Sequence, residues 1–145
     1  MARPKLTPQI AYKLAKHLYA AADEYDTRLE SVIAQDSMHA CLYARDVLKA
    51  PFPEAESAIA QSPRWAYEYA YYVLNSPFPE AESMIMKDPG YAYLYAYDVL
   101  KSPWPEAEIV IAQNMWSSYR YAHDVLRTPE DRTRFKEVQR WVAQS

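Results

Sequence analysis

An all-α fold, a solenoid of short helix-turn-helix repeats, is what this sequence predicts, and three observations carry the prediction. Pro53-Glu54-Ala55-Glu56 recurs as Pro79-Glu80-Ala81-Glu82 and as Pro105-Glu106-Ala107-Glu108, each time 26 residues on. The same interval relates Tyr43-Ala44, Tyr69-Ala70, Tyr95-Ala96 and Tyr121-Ala122, and also Val47-Leu48, Val73-Leu74, Val99-Leu100 and Val125-Leu126. One Gly in 145 residues is too few for the tight turns of hairpin-rich β folds. A fixed period of this length marks stacked helical units rather than a single closed core.

The interval divides one domain, 1–145, into a partial N-terminal unit (1–26), four repeats (27–52, 53–78, 79–104 and 105–130) and a C-terminal capping helix (131–145). In the partial unit, Thr7-Pro8-Gln9-Ile10-Ala11-Tyr12 resembles the second half of a repeat. Each repeat begins with a short helix. It starts at Pro53 or its equivalent, and glutamates in the first turn suit the positive end of the helix dipole. A helix of about nine residues is marginal alone and must be held by its neighbours.

The second helix is written more fully. Ala66, Tyr69, Ala70, Val73 and Leu74 fall on one face of a 3.6-residue period. Asp36, Ser62, Asp88 and Asn114 precede the four second helices, and each supplies a side-chain oxygen for an orphaned N–H of the first turn. Pro51, Pro77 and Pro103 then forbid continuation. Between repeats, Phe52, Phe78 and Trp104 each stand between two prolines, a stiff bracket that presses an aromatic plug into the seam. Residues 131–145 lose the motif but stay amphipathic.

Composition removes several function classes. The chain is 50% hydrophobic and 24% charged, ordinary for a globular protein and too apolar for disorder. Its net charge of −3 offers no bulk attraction for a phosphate backbone, so no direct nucleic-acid partner is expected. Cys41 is the single cysteine, which excludes a disulfide framework. No apolar run approaches the roughly 20 residues that cross a bilayer, and no apolar signal core follows the N-terminus. The expectation is a cytoplasmic protein without a membrane partner.

Comparison of the repeats with one another sorts their polar residues. Asp46, Asp98 and Asp124 precede Lys49, Lys101 and Arg127 by three residues, and in the remaining repeat both positions change, to Tyr72 and Asn75. Joint replacement predicts ion pairs on the helix surface, worth about 0.2–0.5 kcal/mol each. Glu30, Glu56, Glu82 and Glu108 are invariant, as are Tyr43, Tyr69, Tyr95 and Tyr121. The structural role expected of them is helix N-terminus chemistry or a Glu–Tyr bond across the seam that satisfies a buried phenol; the functional alternative is a carboxylate ladder for cations or basic partner residues.

Off the core stripe lie Tyr67 and Tyr71, Tyr93 and Tyr97, then Tyr119 and His123, with Trp65, Tyr91 and Trp116 at the border. Residues at i and i+4 share a face, so these form a two-column aromatic strip across successive repeats. Such a strip either fills the grooves between units or presents a recognition surface, since Tyr and Trp are enriched at interaction hot spots. Glu54, Glu80 and Glu106 would flank it with negative charge. His17, His39 and His123 fall in different units, and none has metal-ligand spacing. No serine stands in a nucleophile context. The expectation is no catalytic residue, no metal and no cofactor.

The alternation of Tyr-Ala-x-x-Val-Leu with Phe/Trp-Pro-Glu-Ala-Glu over residues 27–130 resembles short helical repeats in uncharacterised proteins of tailed bacteriophages. Those proteins often carry Gly-Arg where this chain has Ala50-Pro51, Ser76-Pro77 and Ser102-Pro103, so its inter-unit links are stiffer. The resemblance implies a phage-encoded accessory protein acting in the host cytoplasm, binding and inhibiting a host or defence protein. With the strip, it predicts a non-enzymatic protein-binding module. Two other readings remain open: a sponge for a nucleobase-containing ligand, with only Arg45, Arg64 and Arg120 near the strip for its phosphates, and an architectural or virion component that self-associates through its ends.

Overall fold

The computed structural model describes residues 4–145. Among them are ten α-helical elements and no strand. α1 (Pro8–Ala22) is the second-type helix of the partial unit. The repeats follow as pairs: α2 (Thr27–Ile33) with α3 (Ser37–Tyr43), α4 (Glu56–Ile59) with α5 (Pro63–Tyr69), α6 (Pro79–Ile85) with α7 (Pro89–Leu94), and α8 (Glu108–Ala112) with α9 (Met115–Asp124). α10 (Pro129–Gln144) closes the array. A tighter 3-10 turn, Pro53–Ala55 or Pro105–Ala107, leads into α4 and α8.

Each second helix packs on the second helix and on the first helix of the next repeat. The second helices therefore form one continuous layer, and the first helices ride between successive members of it. Contacts run in sequence order, as in a solenoid.

The caps sit where the side chains require them. Asp36, Ser62, Asp88 and Asn114 accept the backbone N–H of His39, Trp65, Tyr91 and Ser117 at 2.9, 3.4, 3.0 and 2.9 Å. The far ends differ from a plain α-helix. α3, α5 and α7 widen into π-type turns over Ala44–Leu48, Ala70–Leu74 and Tyr95–Leu100. Lys49, Asn75 and Lys101 then take the left-handed conformation, with φ of 52°, 51° and 54°. The prolines two residues on have no N–H to give, so the carbonyls of Ala44, Ala70 and Ala96 collect two donors each from the preceding cap residues. Lys49, Asn75 and Lys101 are thus cap residues. The surface ion pairs expected of Asp46, Asp98 and Asp124 with Lys49, Lys101 and Arg127 do not form, because the aspartates are engaged elsewhere.

Every repeat is pinned through its invariant tyrosine. The hydroxyls of Tyr43, Tyr69, Tyr95 and Tyr121 donate to Glu30, Glu56, Glu82 and Glu108 at 2.9, 2.8, 2.9 and 2.9 Å. This bond ties the two helices of one repeat rather than crossing the seam. The same oxygen in Tyr69, Tyr95 and Tyr121 accepts the backbone N–H of Phe52, Phe78 and Trp104 at 2.7, 2.7 and 2.8 Å. The rings of those plugs lie against the tyrosine of the preceding repeat, with centroids 5.5, 5.5 and 5.1 Å apart for Tyr43–Phe52, Tyr69–Phe78 and Tyr95–Trp104. One aromatic residue therefore joins two repeats, by its ring to one and its backbone to the next.

α10 continues this logic with other residues. Phe135 packs on Tyr121 at 5.0 Å, and Arg134 reaches Glu108 with two nitrogens, at 2.7 and 3.2 Å. Glu108 is only 1% exposed, so removing its cation strands a buried charge. We expect Arg134→Ala to cost about 1–2 kcal/mol, a value discounted because the guanidinium is partly solvated and Tyr121 still donates. Urea denaturation of the single and double variants with Glu108→Gln checks it; a cycle without coupling would remove the bridge from the account of the cap.

Candidate functional site

The aromatic strip divides into a seam column and an exposed column. Tyr67 and Tyr93 belong to the seam. Their hydroxyls donate to Asp98 and Asp124 of the following repeat at 2.6 and 2.7 Å, and Tyr12 does the same to Asp46 at 3.3 Å. Burial and the facing carboxylate hold the Tyr67 phenol well above its ordinary range. Tyr93 is 2% exposed, too little for a docking side chain. The donor and acceptor stand 31 residues apart in both regular seams. At the one seam where the acceptor place is Tyr72, the donor place is Cys41. The joint change among the aspartates therefore reports this bond between repeats. Cys41 fills the groove; its thiol is pushed up to about 12 chiefly by burial, which leaves it a poor nucleophile.

Tyr71, Tyr97, Trp116 and Tyr119 are exposed. Tyr71 and Tyr97 stack on the seam tyrosines Tyr67 and Tyr93 at 6.0 Å and are braced from below, while the exposed His123 stacks on Tyr119 at 6.1 Å. Trp116 meets Tyr93 edge-on at 5.6 Å and stays 58% exposed. Trp65 and Tyr91 are half-buried, under Arg64 and against Tyr67 respectively. Glu54 and Glu106 are exposed in the 3-10 turns that lead into α4 and α8, and Glu80 in the first turn of α6. They form a row on the other helix type, apart from the rings.

A groove of about 320 Å³ runs beside the exposed column, lined by Tyr71, Tyr97, Asp98, Lys101, Asp124 and Arg127 among others. A second depression of about 280 Å³ shares Tyr71, Asp98 and Lys101 with it. The three seam aspartates differ in what else they hold. Asp46 takes Arg45 at 2.7 Å. Asp124 takes Arg120 at 2.8 Å and His123 at 2.7 Å. Those bonds hold both carboxyls below the usual range, Asp46 chiefly through Arg45 and Asp124 chiefly through His123. At Asp98 the equivalent places are Tyr97 and Leu94, and among the described residues its one hydrogen-bond partner is the Tyr67 hydroxyl.

No family model, curated protein or solved structure matches the chain. The site is therefore read from its own geometry. Among the described residues no three His, Cys, Asp or Glu side chains gather as a metal site, and no helix is long and apolar enough to cross a membrane. Arg45, Arg64 and Arg120 are tied to Asp46, Glu68 and Asp124.

Proposed function

We propose that the protein is a non-enzymatic protein-binding module whose docking surface is the exposed column Tyr71, Tyr97, Trp116 and Tyr119 along the second-helix layer. The observation that carries the reading is Asp98. Among the described residues Asp98 forms no ion pair, although Lys101 and Arg127 line the same groove, and it lies between two braced tyrosines. A guanidinium or ammonium group from a partner fits there as Arg45 and Arg120 fit on Asp46 and Asp124, with aromatic faces adding cation–π attraction. The resemblance to phage repeats suggests a host or defence protein as that partner. A nucleotide sponge is the second reading: Arg45, Arg64 and Arg120 are engaged by carboxylates, and Lys101 and Arg127 of the groove are the cations left for its phosphates.

The test is capture from a bacterial lysate, followed by binding measurements on the purified partner. Asp98→Asn is expected to weaken binding about tenfold or more, in line with loss of a charge-assisted contact, and to flatten the salt dependence. Tyr71→Ala with Tyr97→Ala should abolish it while the melting temperature changes little, since both rings are exposed. A partner retained equally by both variants would remove this surface from the proposal.

A further inference from the structure

The seam is the device this chain uses to add one second-type helix to another, and its last copy is open. α9 presents Tyr119 where α5 presents Tyr67 and α7 presents Tyr93, yet no aspartate meets its hydroxyl, and the ring is 67% exposed. Beside it runs a groove of about 330 Å³. One wall is α9, through Tyr119, Ala122 and Leu126; the other is α10, through Phe135, Arg132 and Lys136. α10 packs chiefly on α8, without the close α9 contact of a regular first-type helix, but its Phe135 lies on Tyr121 as Phe78 and Trp104 lie on Tyr69 and Tyr95. The α9 wall of the groove is thus the face on which α5 and α7 each receive the next second-type helix. Among the described residues no helix lies on it.

We propose that this groove docks one amphipathic helix of a partner protein, with a carboxylate on its buried face that accepts the Tyr119 hydroxyl. The floor is apolar, and Arg132 and Lys136 make the α10 wall basic. That charge selects an acidic helix and disfavours a second copy of this chain, whose own second-type end helix α1 carries Lys13, Lys16 and His17. At the acceptor place α1 has His17, not an aspartate. Helix-in-groove recognition needs little more than a preformed apolar floor and two or three anchors, and the seat is preformed because α10 is locked to α8 and α9 by Arg134 and Gln139. Tyr119 belongs to both surfaces, but this groove shares no lining residue with the Asp98 groove, so Asp98→Asn in the protein tests the one and Lys136→Glu the other.

The probe is the capped peptide of residues 88–100, this chain's own acidic second-type helix, titrated into the full protein and followed by amide chemical shifts. Saturable shifts centred on Tyr119, Ala122, Leu126 and Lys136 are expected. The peptide with Asp98→Asn should bind about tenfold more weakly, and Lys136→Glu in the protein should weaken both peptides. Tyr119→Phe should abolish the difference between the Asp and Asn peptides, which an unspecific charge effect would not do. Shifts elsewhere, an Asn peptide that binds equally well, or no saturation would overturn the proposal. So would concentration-dependent sedimentation that Tyr119→Arg and Ile10→Arg each abolish, since a second copy would then hold the seat. Tyr119 and Ile10 are exposed, so these variants should fold.

Discussion

Tyr95→Phe is expected to destabilise the protein by about 2–5 kcal/mol, although the ring is unchanged and only one oxygen is lost. That oxygen has two partners. It donates to Glu82 at 2.9 Å and accepts the Phe78 N–H at 2.7 Å. Phenylalanine in its place leaves a buried backbone donor without an acceptor and a carboxylate without its donor, and each orphaned group costs about 1–3 kcal/mol. Tyr69→Phe should behave alike, having the same pair of partners in Glu56 and Phe52. Tyr43→Phe should cost less, because its hydroxyl holds Glu30 without the backbone bond seen in the three later repeats. The ordering, more than any one value, separates this account from simple ring packing, which would make the variants equal. Denaturant melts of the three substitutions measure it. Equal, near-zero losses would mean that the hydroxyls do not hold the hairpins.

The ranking also shows which parts of the structure a sequence can carry. The repeating helix pairs, the capping side chains at Asp36, Ser62, Asp88 and Asn114, and the aromatic plugs are encoded locally, and the structure has each of them. The wider final turn of α3, α5 and α7 is not local in that sense. It arises because a proline two residues beyond the cap withholds a donor, and the carbonyls behind it are gathered by a left-handed residue that in two cases is lysine. The exchange at Tyr72 and Asn75 points to a surface pair when repeats are compared within one helix. Compared across the seam, the exchange of Cys41 with Tyr72 points to the Tyr–Asp bond. The signal was present, at a spacing of 31 that a helical wheel does not sample. The division of the strip follows from the same bond: a tyrosine that meets an aspartate is drawn into the seam, as Tyr93 is, and its neighbour four residues on remains outside.

Raising the pH above 10 is expected to unfold the protein within about two units, more steeply than a chain with solvated tyrosines. The phenols of Tyr43, Tyr69, Tyr95 and Tyr121 are all held above their ordinary value of 10.0, chiefly by burial, with the facing glutamates adding to it. Below pH 10 these groups are protonated in both the folded and the unfolded chain, so their linkage leaves stability flat. Above it the unfolded chain releases protons that the folded one retains, and the folded state loses ground until its own raised values are reached. Each such phenol removes about 1.4 kcal/mol per pH unit, and four together about 5.6 kcal/mol per unit, against a total stability of about 5–15 kcal/mol. Tyrosinate absorbance and circular dichroism should therefore change together in one transition. In Tyr95→Phe the slope of unfolding free energy against pH should fall by one proton's worth, even though the variant starts from lower stability. If all 14 tyrosines ionised near pH 10 while the helical signal persisted, the phenols would have to be solvated, and the pins that join each pair of helices would not exist in solution.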